Sequence, residues 1–142
     1  MTTVVVLPYR PDGGHRDKLW AFCKARWAER HPDWRVYEGA SPDGPFNRAA
    51  AVNDAVARAT ADQSDWTAVL IIDGDVVCDP RACETAIAAA HQTGRMVVAH
   101  DQRVMVNRDG TDRILRGYAG PWDQAKFVER VWHDSEIGRA HV

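Results

Sequence analysis

The sequence predicts an α/β fold with a mainly parallel sheet flanked by helices. Three observations carry that prediction. Short β-branched runs end in turn formers, segments with apolar residues at helical spacing separate them, and cap residues mark where one gives way to the next. The resulting order is strand, helix, strand, helix, strand, helix, strand, with no internal repeat, low-complexity tract or linker.

The first run, Val4 to Leu7, is short, β-branched and closed by Pro8, which reads as a buried strand. "PDGGH" follows as a flexible loop. Leu19, Phe22, Cys23 and Trp27 then recur at helical spacing until His31-Pro32 stops the pattern. A second strand lies around Trp34 to Tyr37, and the turn formers of "SPDGP" open a loop after it. Asn47 is placed to cap a second helix, with Ala49, Val52, Val56 and Ala59 on one face. Val69 to Ile72 forms the third strand. Asp79 as cap and Pro80 at the first helical position begin a third helix that Gly94 ends. "RMVVAH" is expected as a fourth strand, and Asp109-Gly110 as the turn of a β-hairpin. Trp20, Trp27 and Trp34 are assigned to the core.

Composition narrows the function. The chain has 142 residues, 45% hydrophobic and 27% charged, as expected of a globular domain. A formal net charge of -2 offers no basic excess for nucleic acid or an anionic membrane, so small molecules or proteins are the expected partners. Three cysteines at irregular spacing give neither a disulfide framework nor a zinc site, which fits reduced thiols in a cytoplasmic protein. No basic leader precedes the first strand, and no apolar run approaches the ~20 residues of a membrane span. Arginine outnumbers lysine 15 to 3, a coding bias that says nothing about function.

In open α/β sheets ligands sit beyond the carboxyl ends of the strands. Those ends carry Pro8, Tyr9 and Arg10, then Glu38, then Asp73 and Asp75, then His100 and Asp101. If the backbone stays extended, Asp73 and Asp75 face the same side with alpha carbons about 6.5 to 7 Å apart. Carboxylate oxygens are hard ligands for magnesium or manganese, which bind through one or two such groups plus substrate phosphate oxygens. Gly74 between them admits close approach by a ligand. The plain alternative is acids that end a strand or cap the next helix. Arg48, at a helix start, offers a cation where the amides and dipole already favour phosphate; otherwise it is a solvated surface arginine. Tyr9 and Arg10 either stack on a base and hold a phosphate or ribose, or pack on the sheet edge. His100-Asp101 serves either a ligand or the structure.

With these residues in view, the chain resembles nucleotide-sugar glycosyltransferases of the GT-A fold, close to the family 2 type of bacteria and phages. The resemblance rests on "VVVLPYRPDGG", "PFNRAAAVNDAV" and "LIIDGDVVCDP" and covers roughly residues 3 to 118. It implies a partial, Rossmann-like GT-A domain over residues 1 to 136. It also implies nucleotide-sugar binding by Pro8, Tyr9, Arg10, Glu38, Arg48 and Asp73. Metal binding, of manganese or magnesium, falls to Asp73 and Asp75 in the Asp-x-Asp motif. The expected donor is a UDP- or GDP-sugar; the acceptor is unknown. The acidic acceptor-side segment of inverting members has no counterpart in "GPWDQAKFVERVWHDSE", so no catalytic base is assigned and the acceptor half is expected to be missing. Two alternatives stand beside this reading: a nucleotidyltransferase-like enzyme, which a glycine-rich, lysine-containing first loop would favour but for which "PYRPDGGHRDK" offers only the distant Lys18, and a noncatalytic nucleotide-binding module.

The last six residues, Ile137 to Val142, match translation of a common short-read sequencing adapter, ATC GGA AGA GCA CAC GTC, and are expected to be adapter read-through. The coding nucleotides test this: that string is the expected outcome, and synonymous codons in its place refute it.

Overall fold

The computed structural model describes residues 2–118 and 125–133, so Ile137 to Val142 lie outside the described residues. The chain divides into two compact units, residues 1–97 and 98–142. The first unit has the elements β1 (Thr3–Pro8), α1 (His15–Arg30), β2 (Arg35–Gly39), α2 (Arg48–Asp62), β3 (Ala68–Ile71) and α3 (Pro80–Thr93). Its three strands form a parallel sheet in the order β2-β1-β3, with Pro8 opposite Gly39 and Val6 opposite Ile71. The predicted mainly parallel α/β sheet flanked by helices is what this unit adopts.

β1 occupies the centre because every one of its residues is buried. Val4, Val5, Val6 and Leu7 are 0% exposed. Burying each such side chain stabilises by about 1.5–3 kcal/mol, and β-branched residues suit a strand with a neighbour on each edge. Leu7 joins Trp20 and Cys23 of α1 in a core cluster, against which Tyr9, Phe22, Val36, Ile72 and Val77 pack. The buried face of α1 is thus Trp20, Cys23 and Trp27, one step around from the expected Leu19 and Phe22. Trp20 and Trp27 are core residues as expected, whereas Trp34 is half-buried and stacks on His31 with ring centroids 3.6 Å apart.

α2 also turns a different face inward. Ala51, Ala55 and Ala59 are buried, while Ala49 is exposed and Val52 and Val56 are half-buried. The cause is a close approach to β2. A methyl group on Gly39 would lie 1.7 Å from the Ala51 carbonyl oxygen and 3.0 Å from the Ala55 Cβ. Only the alanine stripe lets helix and strand come that near. Polar contacts seal the pair: Asp54 accepts from the Ala40 amide at 2.8 Å, and Asp62 accepts from Tyr37 at 2.7 Å and Arg35 at 2.6 Å.

The caps fall where predicted. The Asn47 side chain accepts from the Ala50 amide, Asp79 accepts from the Arg81 amide ahead of Pro80, and Gly94 ends α3 at φ 65°. The β1–α1 loop, expected to be flexible, is instead tied by two carboxylates. Asp12 accepts from the amides of Gly14, Arg16 and Asp17, which holds its carboxyl below the usual range. Asp17 accepts from the Tyr9 hydroxyl and from the amides of Asp12 and Gly13. Burial first, and then the Asp17 carboxylate, push the Tyr9 phenol from 10.0 up to about 12.

Two expectations fail beyond α3. No described strand spans residues 95–100, and Met96 and Val98 are 91% and 59% exposed, so "RMVVAH" has no strand partner among the described residues. Asp109-Gly110 is not a hairpin turn but lies in the first turn of a helix. The second unit has β4 (Gln102–Val106), α4 (Arg108–Leu115), a 3-10 turn at Ala125–Phe127 and β5 (Val128–His133), with β4 and β5 antiparallel. Asn107 decides this: its side chain caps α4 by accepting from the Gly110 amide at 2.9 Å and donates to the Lys126 carbonyl at 3.0 Å. Gly110 is buried, and a methyl group there would stand 3.0 Å from the Phe127 Cβ.

Two measurements check this account. Gly39→Ala should cost about 3 kcal/mol or more in denaturant unfolding, since α2 must move off the sheet. Gly94→Ala, which meets nothing within 4 Å but sits at φ 65°, should cost only about 1 kcal/mol. For Tyr9 the folded state holds its proton to higher pH than the unfolded chain, so its stability contribution is full below 10 and is lost as pH rises toward about 12. Tyr37 shifts in the same direction. Alkaline unfolding curves should therefore show a fall in that window that is shallower, but not absent, in Tyr9→Phe.

Candidate functional site

Parallel pairing brings the carboxyl ends of β1, β2 and β3 to one edge of the sheet, and with them the segments 8–10, 38–40 and 72–75. After Pro8, the Tyr9 amide continues the ladder by donating to the Gly39 carbonyl at 3.1 Å. The Tyr9 ring is half-buried, 6.4 Å from Trp20, and its hydroxyl is committed to Asp17. Arg10 reaches across to the loop before α2, donating to the Gly44 carbonyl at 2.7 Å and the Pro42 carbonyl at 2.8 Å, with its guanidinium 5.5 Å from the Phe46 ring. Arg10 thus shapes the β2–α2 loop. Glu38 is likewise engaged, accepting from the Trp20 indole at 2.6 Å and pairing with Lys24 at 3.5 Å.

Asp73 and Arg48 come together although 25 residues separate them. The Arg48 guanidinium donates to Asp73 Oδ1 from Nη2 at 3.1 Å and from Nε at 3.4 Å. Arg48 is the first residue of α2, directly after the Asn47 cap. Both side chains are about half exposed, 56% and 48%.

The strand does not remain extended through the acid pair. β3 ends at Ile71, the Ile72 amide makes a last bond to the Val6 carbonyl at 3.1 Å, and the chain turns at Gly74-Asp75, with the Val76 amide 3.4 Å from the Asp73 carbonyl. The two carboxylates therefore flank a turn instead of sharing one face of a strand. One side of Gly74 faces the core. A methyl group there would lie 3.4 Å from the Trp20 Cβ and 3.7 Å from Leu7 Cδ1, so the turn rests on the core. Cys23 supports it further along, its thiol donating to the Val76 carbonyl at 3.6 Å. Asp75 is exposed and has no hydrogen bond or ion pair among the described residues. His100 and Asp101 belong to the second unit and are both exposed.

The donor set suits a hard divalent cation. Asp75 offers a whole carboxylate and Asp73 the oxygen that Arg48 leaves, and magnesium or manganese commonly takes one or two protein carboxylates. Among the described residues no group of three or more His, Cys, Asp or Glu side chains gathers as a self-sufficient metal cage. The glycine loop after β1 has a different character. The amides of Gly13, Gly14, Arg16 and Asp17 already serve Asp12 and Asp17, which leaves carboxylates where a phosphate cradle would need free N–H groups. Sequence reasoning did not assign Asp12 and Asp17. The visible signal was an aspartate and two glycines directly ahead of a helix, a local capping pattern.

A cavity of about 390 Å³ lies between α1 and the 76–80 segment, lined by residues of α1 that include Cys23, Arg26, Trp27 and Glu29, and by Val76, Val77, Cys78 and Pro80. Arg30, also on its wall, holds Glu84 of α3 at 2.8 Å, and His31 holds the same carboxylate at 2.7 Å. Among the described residues no helix is long and apolar enough to cross a membrane.

No curated protein and no solved structure matches the chain. One family model does, that of glycosyl transferase family 2, over residues 12–133. That span takes in α1 to α3, the acid turn and residues 98–133 of the second unit, and the mainly parallel sheet flanked by helices is the architecture expected from the resemblance. The chain therefore belongs to glycosyl transferase family 2.

Proposed function

We propose that the carboxyl edge of the sheet is the donor site of a glycosyltransferase that uses a nucleotide-diphosphate sugar. The observation that carries this reading is the contact of Arg48, the first residue of α2, with Asp73, two residues before the exposed Asp75. A diphosphate is recognised by such cations and amides, and its accompanying metal by such carboxylates.

Asp75 is the first choice of metal ligand. Asp73 holds metal or ribose through the oxygen that Arg48 leaves. Manganese or magnesium supplies, when bound, positive charge against the diphosphate that departs as the bond to the anomeric carbon breaks. Arg48 adds a second positive charge at the same edge. Pro8 and Tyr9 give the nucleoside a rigid floor, because the Tyr9 ring is held from below by Asp17 and Trp20. Arg10 acts on the nucleotide through the loop it shapes, and Glu38 offers its second oxygen to ribose or base. UDP- and GDP-sugars are the expected donors. A cytoplasmic location belongs to the same reading, supported by three cysteines whose spacing gives no disulfide framework.

A nucleotidyltransferase-like reading fits less well, since the first loop turns carboxylates and not free amides toward any phosphate. Calorimetric titration of UDP and GDP with and without manganese tests the proposal. One of the two should bind only with metal. Asp75→Ala should weaken that binding about 100-fold and Arg48→Ala about tenfold, with melting curves confirming that both variants fold. Binding that ignores metal and is unchanged in Asp75→Ala would point to a noncatalytic nucleotide module instead.

A further inference from the structure

The cysteines lie in a local arrangement that the donor site does not use. Cys78 immediately precedes Asp79, the cap of α3, and Cys83 is the fourth residue of the helix. These are the two positions whose side chains meet in a hydrophobic staple at a helix start. Here both are thiols, and their sulfurs stand 3.6 Å apart. Their accessibility differs in a useful way. Cys78 is half-buried and lines the cavity beside α1, whereas Cys83 is only 4% exposed behind it.

The surroundings assign different tasks to the three thiols. The hydrogen bond between the two sulfurs holds Cys78 below the ordinary thiol range, against its burial; the Arg26 cation on the cavity wall acts in the same direction and the Asp79 carboxylate opposes it. Cys23 is buried, bonded to the Val76 carbonyl and pushed up to about 11 by that burial, so it remains a thiol. A half-buried thiol near a cation and at a helix N-terminus, with a second thiol behind it, is the arrangement of an attacking and a resolving cysteine.

We propose that Cys78 and Cys83 form an exchange pair that is modified by low-molecular-weight disulfides of the glutathione class, which enter through the cavity beside α1. The Cys78 thiolate attacks one sulfur of the small disulfide. That S–S bond breaks, a mixed disulfide forms at Cys78, and one small thiolate leaves. Cys83, its proton given up to solvent, then attacks the Cys78 sulfur, the mixed disulfide breaks, and the second small thiolate leaves. Two electrons pass from the protein thiols to the small disulfide, and its two halves take up the two protons released. The product links the residue ahead of the cap to the first turns of α3 and pins the end of the segment that starts at Asp73.

The experiment uses the whole chain with oxidised glutathione, followed by an acid quench, denaturation, alkylation and peptide mass spectrometry. Untreated protein should take three labels, one on each cysteine of the sequence. Treated protein should take a single label, on Cys23. Cys83→Ser should retain glutathione on Cys78, and Cys78→Ser should leave Cys83 fully labelled. Cys83→Ala with a melting scan guards against a variant that fails to fold. Three labels after treatment, a disulfide that includes Cys23, or no adduct on Cys78 in both folded Cys83 variants would each overturn the proposal. None of these readouts depends on nucleotide or metal, so the donor-site reading stands or falls separately.

Discussion

The rest of the first unit depends on the burial of β1 between two parallel neighbours. A strand whose four apolar residues Val4 to Leu7 are 0% exposed has no edge or face left for water. Helices must therefore cover it on its faces, and its neighbours must be reached by crossover connections. Parallel pairing has a further consequence for chemistry. All three strands release their chains at the same edge, so segments 8–10, 38–40 and 72–75 converge whatever their side chains are. The site's location thus follows from the topology, and only its character is set by the residues placed there.

That character comes from how firmly each polar group is already held. Arg10 and Glu38 each have two partners within the fold, and removing either would disturb a loop or a helix contact. Arg48 and Asp73 differ. Their pair is half exposed to water, and exposed ion pairs contribute only about 0–1 kcal/mol. So weak a pair does little for stability. Asp75, without such a partner among the described residues, is freer still. Residues at the sheet edge thus divide into those held by several contacts of the fold and those held weakly or, among the described residues, not at all.

Much of the first unit was legible because its signals are local. Asn47, Asp79-Pro80 and Gly94 cap helices through contacts a few residues long, and β1 is marked by its own β-branched run. What escaped depends on distant partners. Two alanine-containing stripes of α2 have helical spacing, and the choice between them is made by Gly39, at the end of another strand. Asp109-Gly110 carries a turn signal, yet the Asn107 cap and Phe127 draw it into a helix. At the site, the residue types at the strand ends were readable from strand boundaries alone. The reach of Arg10 to residues 42 and 44, and of Arg48 across 25 positions, was not, since neither leaves a periodic trace.

The acid turn shows how a short loop can be both exposed and fixed. Its start is anchored by the bond from Ile72 to Val6, its end by the Asp79 cap, and its middle by Gly74 against Trp20 and Cys23 on the Val76 carbonyl. Ile72 and Val77 add apolar contact with the core. A ligand that met Asp73 and Asp75 would find carboxylates on backbone that is already ordered, so less conformational entropy would be lost on binding than in a free loop. The features that overturned the extended-strand expectation, the turn at Gly74 and its close seat on the core, are thus the ones that give the carboxylates a rigid support.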